Sequence, residues 1–383
     1  MQSKVALLWC NAAATSLFLL SLRAKPPPPN FWKRYYCSSF YVAAKGTPGQ
    51  PFFPYHSAMA NYLITGIAGF IGSNLARTLL ARGENVRGVD NFATGKRENI
   101  AEISGRLDFR EADLLDLDAM RQACQGMDYV LHQAAIASVP RSVADPLGSN
   151  RANVDGTLNL LVAARDAKVK RVVFAASSSA YGDTPTLPKH EEMPANPISP
   201  YAVSKLAGEL YLQSFWRVYG LETVCLRYFN IFGPRQDPNS PYSGVLARFI
   251  TSMLRGEQPT IFGDGEQSRD FTYVDNAVAA NLQACTTPAA QAVGRVFNIA
   301  TGHQATLNQT VAVLRGITGY QGPVQYGAER TGDIKHSFAD ISLAQKHLGY
   351  RPSVGFEDGL KRTVAWYQEQ GAPMAAQASE RSR

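Results

Sequence analysis

The feature that most constrains this chain is a short apolar run, Tyr62–Thr65, that enters Gly66-Ile-Ala-Gly69-Phe-Ile-Gly72 and continues as an apolar helical pattern. A strand that turns on glycine into a helix leaves the helix N-terminus open. Its unpaired N–H groups and partial positive charge suit a pyrophosphate, while the glycines allow a tight turn, close backbone approach and tight helix packing. Phe70 and Ile71 sit within this turn, and Asp90 lies eighteen positions beyond Gly72, at the end of the second apolar run. A carboxylate there would accept both adenosine ribose hydroxyls and repel a 2′-phosphate, which favours NAD over NADP. Asn91 follows it. Asp113 and Leu114, after the third run, are placed to meet the adenine, and Ala134 and Ala135, after the fourth, give the small side chains that a flat cofactor needs.

From Tyr62 the pattern alternates. Apolar runs at 62–65, 85–89, 107–110, 129–133, 171–176 and 223–227 are separated by helical candidates at 70–81, 116–124, 153–167 and 200–219. Such alternation predicts an α/β fold, a doubly wound parallel sheet of the Rossmann type covered by helices on both faces. Beyond Tyr228 the alternation breaks down among Gly- and Pro-rich stretches. This predicts an NAD-binding domain over 61–229 and a smaller C-terminal substrate lobe over 230–370, with segments around 270–300 returning to the first domain. The lobe is expected to use strands at 257–261 and 323–326 and helices at 341–348 and 356–370, and residues 371–383 to form a disordered tail.

The net charge of +7 invites thoughts of nucleic acid or membrane, but its placement answers them. Residues 1–60 hold Lys4, Arg23, Lys25, Lys33, Arg34 and Lys45 and no acidic residue, so the rest of the chain carries about +1. Nucleic-acid binding is therefore not expected. The N-terminal stretch has an apolar segment, Val5–Leu22, then Pro26–Pro29, and the first convincing strand opens just after Met59. Residues 1–58 are read as an upstream extension of the reading frame, with a targeting or anchoring segment as the alternative; no stable membrane contact is expected unless that stretch is genuine. Five cysteines without CxxC spacing predict neither a disulfide framework nor a zinc site, and fit a reducing, cytoplasmic setting.

Chemistry is signalled by Tyr201-Ala-Val-Ser-Lys205, at the start of a helix announced by Ser199 and Pro200. The i, i+4 spacing puts phenol and ammonium on one face. The ammonium, and a cationic ring beside it, are expected to lower the phenol's pKa and make it a base for a sugar hydroxyl. Just upstream, the fifth run ends in Ser177-Ser178-Ser179, where a serine can hydrogen-bond the reacting oxygen. His132 reads as a packed strand residue, and His336 has no partner at metal spacing, so no metal is expected.

With these motifs assembled, residues 61–370 resemble the extended short-chain dehydrogenase/reductase family. Within it they are similar to the sugar-nucleotide 4-epimerases, most of all bacterial UDP-N-acetylglucosamine 4-epimerases. The carriers are TGIAGFIGSNL (65–75), VDNFATG (89–95), HQAAIASVPRS (132–142), AASSSAYGD (175–183), SPYAVSK (199–205), LRYFNIFGPRQDP (226–238), GDGEQSRDF (263–271) and RTGDIKHSFAD (330–340). The resemblance implies Ser177, Tyr201 and Lys205 as the catalytic set, with Ser178 beside it on the substrate, and Asn153 and Tyr228 on the nicotinamide side. It implies Asn230, Arg269 and Arg330 on the diphosphate, and Phe262 and Asp333 on the uridine. Tyr201 would take the 4-hydroxyl proton as hydride leaves C4, giving a 4-keto sugar that turns over and receives the hydride on its other face. Related 4,6-dehydratases place Asp-Glu after the catalytic Ser/Thr and related decarboxylases a Glu; here Ser178 and Ser179 follow, so chemistry should stop at C4. Ser337 stands where UDP-glucose-only epimerases carry a bulky tyrosine, leaving room for an N-acetyl group. Ser138 and Ser142 could bond that amide or only cap their loop. The expectation is a UDP-sugar substrate, UDP-GlcNAc/UDP-GalNAc first and UDP-Glc/UDP-Gal second, serving surface-polysaccharide precursors, with UDP-glucuronate-type 4-epimerisation or a non-catalytic NAD-binding regulator as alternatives. The family commonly pairs through a four-helix contact, so a homodimer using 153–167 and 200–219 is expected.

Overall fold

The computed structural model describes residues 59–238, 244–329 and 335–380, with side chains as far as Gly371. Residues 1–58 and two expected nucleotide contacts, Arg330 and Asp333, lie outside the described residues. Seven strands form the main sheet: β1 (Asn61–Thr65), β2 (Asn85–Asp90), β3 (Asp108–Glu111), β4 (Tyr129–His132), β5 (Arg171–Ser177), β6 (Glu222–Tyr228) and β7 (Arg295–Ile299). Every pairing is parallel, in the order β7-β6-β5-β4-β1-β2-β3. The order reverses between β1 and β4, and the crevice beyond the strands' C-terminal ends at such a reversal is where doubly wound sheets bind ligands.

The covering helices are α1 (Phe70–Ala81), α2 (Leu117–Cys124), α3 (Gly156–Asp166), α4 (Pro200–Tyr219), α5 (Val245–Leu254), α6 (Val274–Thr286), α7 (Leu307–Thr318), α8 (Ser342–Leu348) and α9 (Phe356–Glu380). Two apolar cores lie on opposite faces of the sheet. One gathers Leu75, Val224, Phe229, Phe297 and Ala277; the other gathers Met120, Leu160, Phe174, Leu212 and Phe215. Arg171, at the N-terminal end of β5 and so at the opposite end of the strands from the crevice, is 2% exposed. Its guanidinium pairs with Glu222 at 2.6 Å and donates to the carbonyls of Ala284, Cys285 and Thr287. These are orphan acceptors at the C-terminus of α6, so one buried cation fixes that helix end to the sheet.

The structure departs from the periodicity in three places. The pattern predicts one helix over 153–167, but Arg151–Asp155 forms a π-turn before α3 begins. The last helix runs to Glu380 where a disordered tail was expected from 371. The irregular region after Tyr228 contains α5, α6 and α7, which the sequence reading did not separate; apart from β7 its strands are two or three residues long and too short to show a period. Among the lobe's strands, Ser268–Arg269 pairs with Ala305–Thr306 and with His336–Ser337, and Thr260–Phe262 pairs with Gln325–Gly327. Among the described residues, no helix is long and apolar enough to cross a membrane.

Candidate active site

The glycine turn is compact for a stated reason. Gly66 has φ +69°, and an added Cβ would lie 2.8 Å from the Ala134 backbone. A Cβ on Gly72 would lie 2.2 Å from the Gly66 carbonyl oxygen, so the helix could not start where it does with any larger residue. Phe70 and Ile71 open α1, whose N-cap, Gly69, brings no side-chain hydrogen bond and whose first turn has no acid. The helix dipole and its N–H groups are left for an anion. At the end of β2, Asp90 accepts hydrogen bonds from the N–H of Ala68 at 2.9 Å and of Phe92 at 2.8 Å, one on each carboxylate oxygen. Burial pushes its pKa up and these bonds pull it back. Asn91 donates to Asp113 at 2.7 Å, and the Asp113 carboxylate also takes the N–H of Leu115, which fixes the turn carrying Leu114. Ala134 and Ala135 follow β4, the Ala134 N–H bonding the Thr65 hydroxyl. The cradle, the open helix end and the carboxylate fit a dinucleotide.

Tyr201 stands in the first turn of α4. Ser199 caps the helix by accepting from the Ala202 N–H at 3.2 Å, and the Tyr201 N–H donates to the Ser142 hydroxyl at 3.0 Å. Ser142 is fully buried and also donates to the Val139 carbonyl, while Ser138 caps the short helix Val139–Ala144. Both serines thus cap their loop, and Ser142 has the further task of anchoring the helix that carries Tyr201. The Tyr201 phenol is half-buried, and burial raises its pKa while a hydrogen bond with Ser177 lowers it. The lowering expected from the ammonium and from a bound cofactor's cationic ring would act against that burial. Lys205 is instead 4% exposed, donates to the Ala175 carbonyl at 2.9 Å and lies 4.9 Å above the Phe174 ring. Burial brings its own pKa down to about 8, with Glu209 acting the other way. Ser177 ends β5 and receives hydrogen bonds from both the N–H and the hydroxyl of Ser179, with Ser178 between them, partly exposed.

Two residues expected beside the nicotinamide are also tied into the protein. Asn153, 3% exposed, accepts the Ile136 N–H at 2.8 Å and donates to the Ile136 carbonyl and the Ser204 hydroxyl, tying the loop after β4 to α4. The Tyr228 hydroxyl takes a hydrogen bond from Asn281 at 2.6 Å and donates to Gln133 at 3.3 Å, while Gln133 donates to Asn281 at 3.1 Å. That closed ring joins the ends of β4 and β6 to the middle of α6, and burial holds the Tyr228 pKa up at about 12. Asn153 and Tyr228 therefore brace the crevice walls. His132 is packed as expected, bonded to Thr65 and Thr157, with burial driving its pKa down to about 3.

A cavity of about 250 Å³ opens in the lobe, lined by Asn230, Gln236, Phe262, Gln267, Arg269 and Leu307 among others. Three expected substrate residues thus meet in one place. Arg269 donates to the carbonyls of Ser268 and Lys335, and Asn230, at φ +38°, donates to the Asp270 carbonyl. Ser337 lies in register with Arg269, half-buried, while His336 bonds the Ser268 hydroxyl. Tyr201 and Ser177 are not among the cavity's lining residues, but Tyr228 pairs with Ser177 and Asn230 follows two residues later, so one strand links the two places. Among the described residues, no group of three His, Cys, Asp or Glu side chains could hold a metal ion.

Sheet, cradle and Tyr-Lys helix together define a Rossmann-type, NAD-dependent enzyme of the short-chain dehydrogenase class. A family model described as the NAD dependent epimerase/dehydratase family matches residues 62–300, and the chain belongs to that family. The UDP-glucose 4-epimerase of Mycolicibacterium smegmatis is 39% identical over 310 residues, covering 80% of this chain and 98% of that protein. Among solved structures, the UDP-N-acetylglucosamine 4-epimerase of Methanobrevibacter ruminantium in complex with UDP-N-acetylmuramic acid superposes with TM-score 0.78 at 42% identity, covering 82% of this chain and 99% of that one. The UDP-glucuronic acid 4-epimerase of Bacillus cereus in complex with UDP-glucuronic acid and NAD gives TM-score 0.75 at 34% identity, covering 81% and 99%.

Proposed function

We propose that this enzyme is a UDP-sugar 4-epimerase whose preferred pair is UDP-GlcNAc and UDP-GalNAc, with UDP-Glc and UDP-Gal as a second activity. NAD, when bound, supplies the hydride acceptor and donor. Gly66, Gly69, Gly72 and the start of α1 would hold its pyrophosphate and Asp90 its adenosine ribose. Tyr201 takes the proton from the C4 hydroxyl and returns it. Ser177, hydrogen-bonded to that phenol, holds the reacting oxygen and passes the proton, and Lys205 keeps a positive charge behind them. Arg269 would clamp the diphosphate, and Phe262 would stack on the base. We read residues 61–229 as the cofactor domain and 230–370 mainly as the substrate lobe.

The observation that carries the reading is the run after Ser177. Ser178 and Ser179 bring no second acid or base to C5 or C6, and Ser179 is engaged with Ser177. Support for the N-acetyl preference comes from Ser337, a small residue in register with Arg269. A uronate substrate is the second reading, favoured by the likeness to the Bacillus cereus enzyme and by the half-buried Arg141 in the short helix after β4. Incubating the protein with UDP-GlcNAc, UDP-glucose and UDP-glucuronate and following C4 inversion by NMR separates the two. Fastest turnover of the uronate overturns the N-acetyl preference; inversion of none overturns the whole reading.

Exposed Val203, Leu210, Tyr211 and Val218 on α4, with Val143 and Leu147 beside them, support a homodimer through this face. The buried free thiols Cys124, Cys225 and Cys285 fit a reducing, cytoplasmic setting, where the product would feed surface-polysaccharide precursors.

A further inference from the structure

Helix α4 repeats its functional spacing once more. Tyr201, Lys205 and Glu209 follow one another at i, i+4 and i+8, and thus lie along one face of the helix. Glu209 is 1% exposed, an unusual place for a carboxylate unless it is paired. Its partner is Arg227 on β6, which donates from Nε at 2.9 Å to one oxygen and from Nη2 at 2.7 Å to the other. The guanidinium in turn lies 4.6 Å over the Tyr181 ring, whose hydroxyl donates to Asn298 on β7 at 2.7 Å. Close approach of α4 to the sheet is built in. An added Cβ on Gly208 would lie 2.6 Å from the Phe174 ring, so only glycine lets the helix settle with Lys205 over that ring.

We propose that Glu209, locked by Arg227, is a positioning residue that fixes the place and the charge of Lys205 and, through it, the proton-transfer power of Tyr201. A buried bidentate pair is weak evidence for stability as such, since an apolar pair of similar volume often does as well. Its placement one turn behind the ammonium gives it a task an apolar pair could not perform. Lys205 has a single anchoring carbonyl, that of Ala175, and its burial opposes its charge. The titratable and charged groups facing it are Tyr201 and Glu209 on its own helix and His132 at the end of β4; Glu209 in turn faces Arg227 and Cys225 on β6, and Arg227 faces Tyr181 and Glu191. His132 is held neutral by its burial, and Glu209 is the carboxylate that raises the Lys205 pKa.

The sign follows. Glu209 keeps Lys205 charged to a higher pH, so neutralising the carboxylate lets the ammonium lose its proton earlier, and more so because Arg227 is left without its counter-charge. This inference rests on the proposed catalytic roles of Tyr201 and Lys205, and the experiment separates the two. The full chain and its variants are assayed for 4-epimerisation of UDP-GlcNAc and of UDP-glucose across pH 6 to 10, with thermal denaturation of each variant alongside. Tyr201→Phe and Lys205→Met test the underlying reading, and either one retaining full turnover overturns it. With those inactive, Glu209→Gln is expected to move the falling limb of kcat down by about one pH unit, a loss of about tenfold on the alkaline side and little at pH 6. Glu209→Asp, which keeps the charge, should bring the limb back. The double variant Glu209→Gln/Arg227→Met, which removes both charges, should recover part of the shift and remains informative if the single variant does not fold. Uniform loss of kcat at every pH in parallel with lost stability, or an unmoved limb in the double variant and in Glu209→Gln alike, would overturn the proposal while leaving the catalytic assignment standing.

Discussion

The crevice side of the sheet and the lobe around Arg269 are built to different standards. Along the crevice, polar groups at the ends of long parallel strands and on the elements beside them find partners within the frame: Asn153 to Ile136 and Ser204, Tyr228 to Gln133 and Asn281, Lys205 to Ala175, and the Tyr201 backbone N–H to Ser142. In the lobe, strands of two or three residues carry Arg269, Phe262 and Ser337, and backbone carbonyls are the main anchors. Proton and hydride transfer demand sub-ångström placement, which a braced frame provides, whereas choice among sugars demands only room and a clamp. Reaction type should therefore be hard to change in this protein, and substrate choice easy.

Four changes test that contrast. Tyr201→Phe should cost about a thousandfold or more in kcat with thermal stability unchanged, because it removes the proton carrier without disturbing the backbone anchored by Ser142; a loss below about tenfold in steady-state kinetics would count against Tyr201 as the base. Gly72→Ala should come next, since its methyl meets a backbone oxygen that cannot retreat. Expected are loss of bound NAD from the purified protein, read by absorbance and mass spectrometry, and a fall in stability of about 3 kcal/mol. Ser337→Tyr belongs to the lobe and should behave differently, cutting kcat/KM for UDP-GlcNAc by about a hundredfold while changing UDP-glucose by less than about threefold. Equal loss on both sugars would erase the contrast.

The smallest effect expected is acid sensitivity. His132 is held near a pKa of about 3 against 6.5 for a free imidazole, so its neutral form is favoured by folding. Its contribution is complete above pH 6.5 and declines as pH falls through the interval down to about 3, amounting to about 2 kcal/mol lost by pH 5. His132→Asn should flatten the pH dependence of Tm between 7 and 5 relative to the unmodified protein.

The parts of the site written in backbone chemistry were legible in the sequence. Glycines that no other residue can replace, Ser199-Pro200 as a helix start and Tyr201 four residues before Lys205 each follow from local geometry, and the predicted bounds 70–81 and 200–219 match α1 and α4. What escaped depends on which distant groups meet. Gln133 and Asn281 are ordinary polar residues until folding puts them around Tyr228, and Ser142 reads as a loop serine until the helix arrives above it. Sequence spacing shows the charge near Tyr201 but not the cost of burying the phenol, which opposes it. Glu209 could have been found, as the third member of the same spacing, but nothing in the pattern separates it from a solvated carboxylate.

Arg171 carries a lesson about distance. By gripping the end of α6 at the foot of the sheet, it sets how far up that helix Asn281 is presented, and so how the Tyr228 brace closes at the top. Harm from substitution should accordingly track mechanical linkage along α6 more than nearness to the reacting sugar, and a map of sensitive positions should show a hot region at the floor of the molecule with cooler ground between.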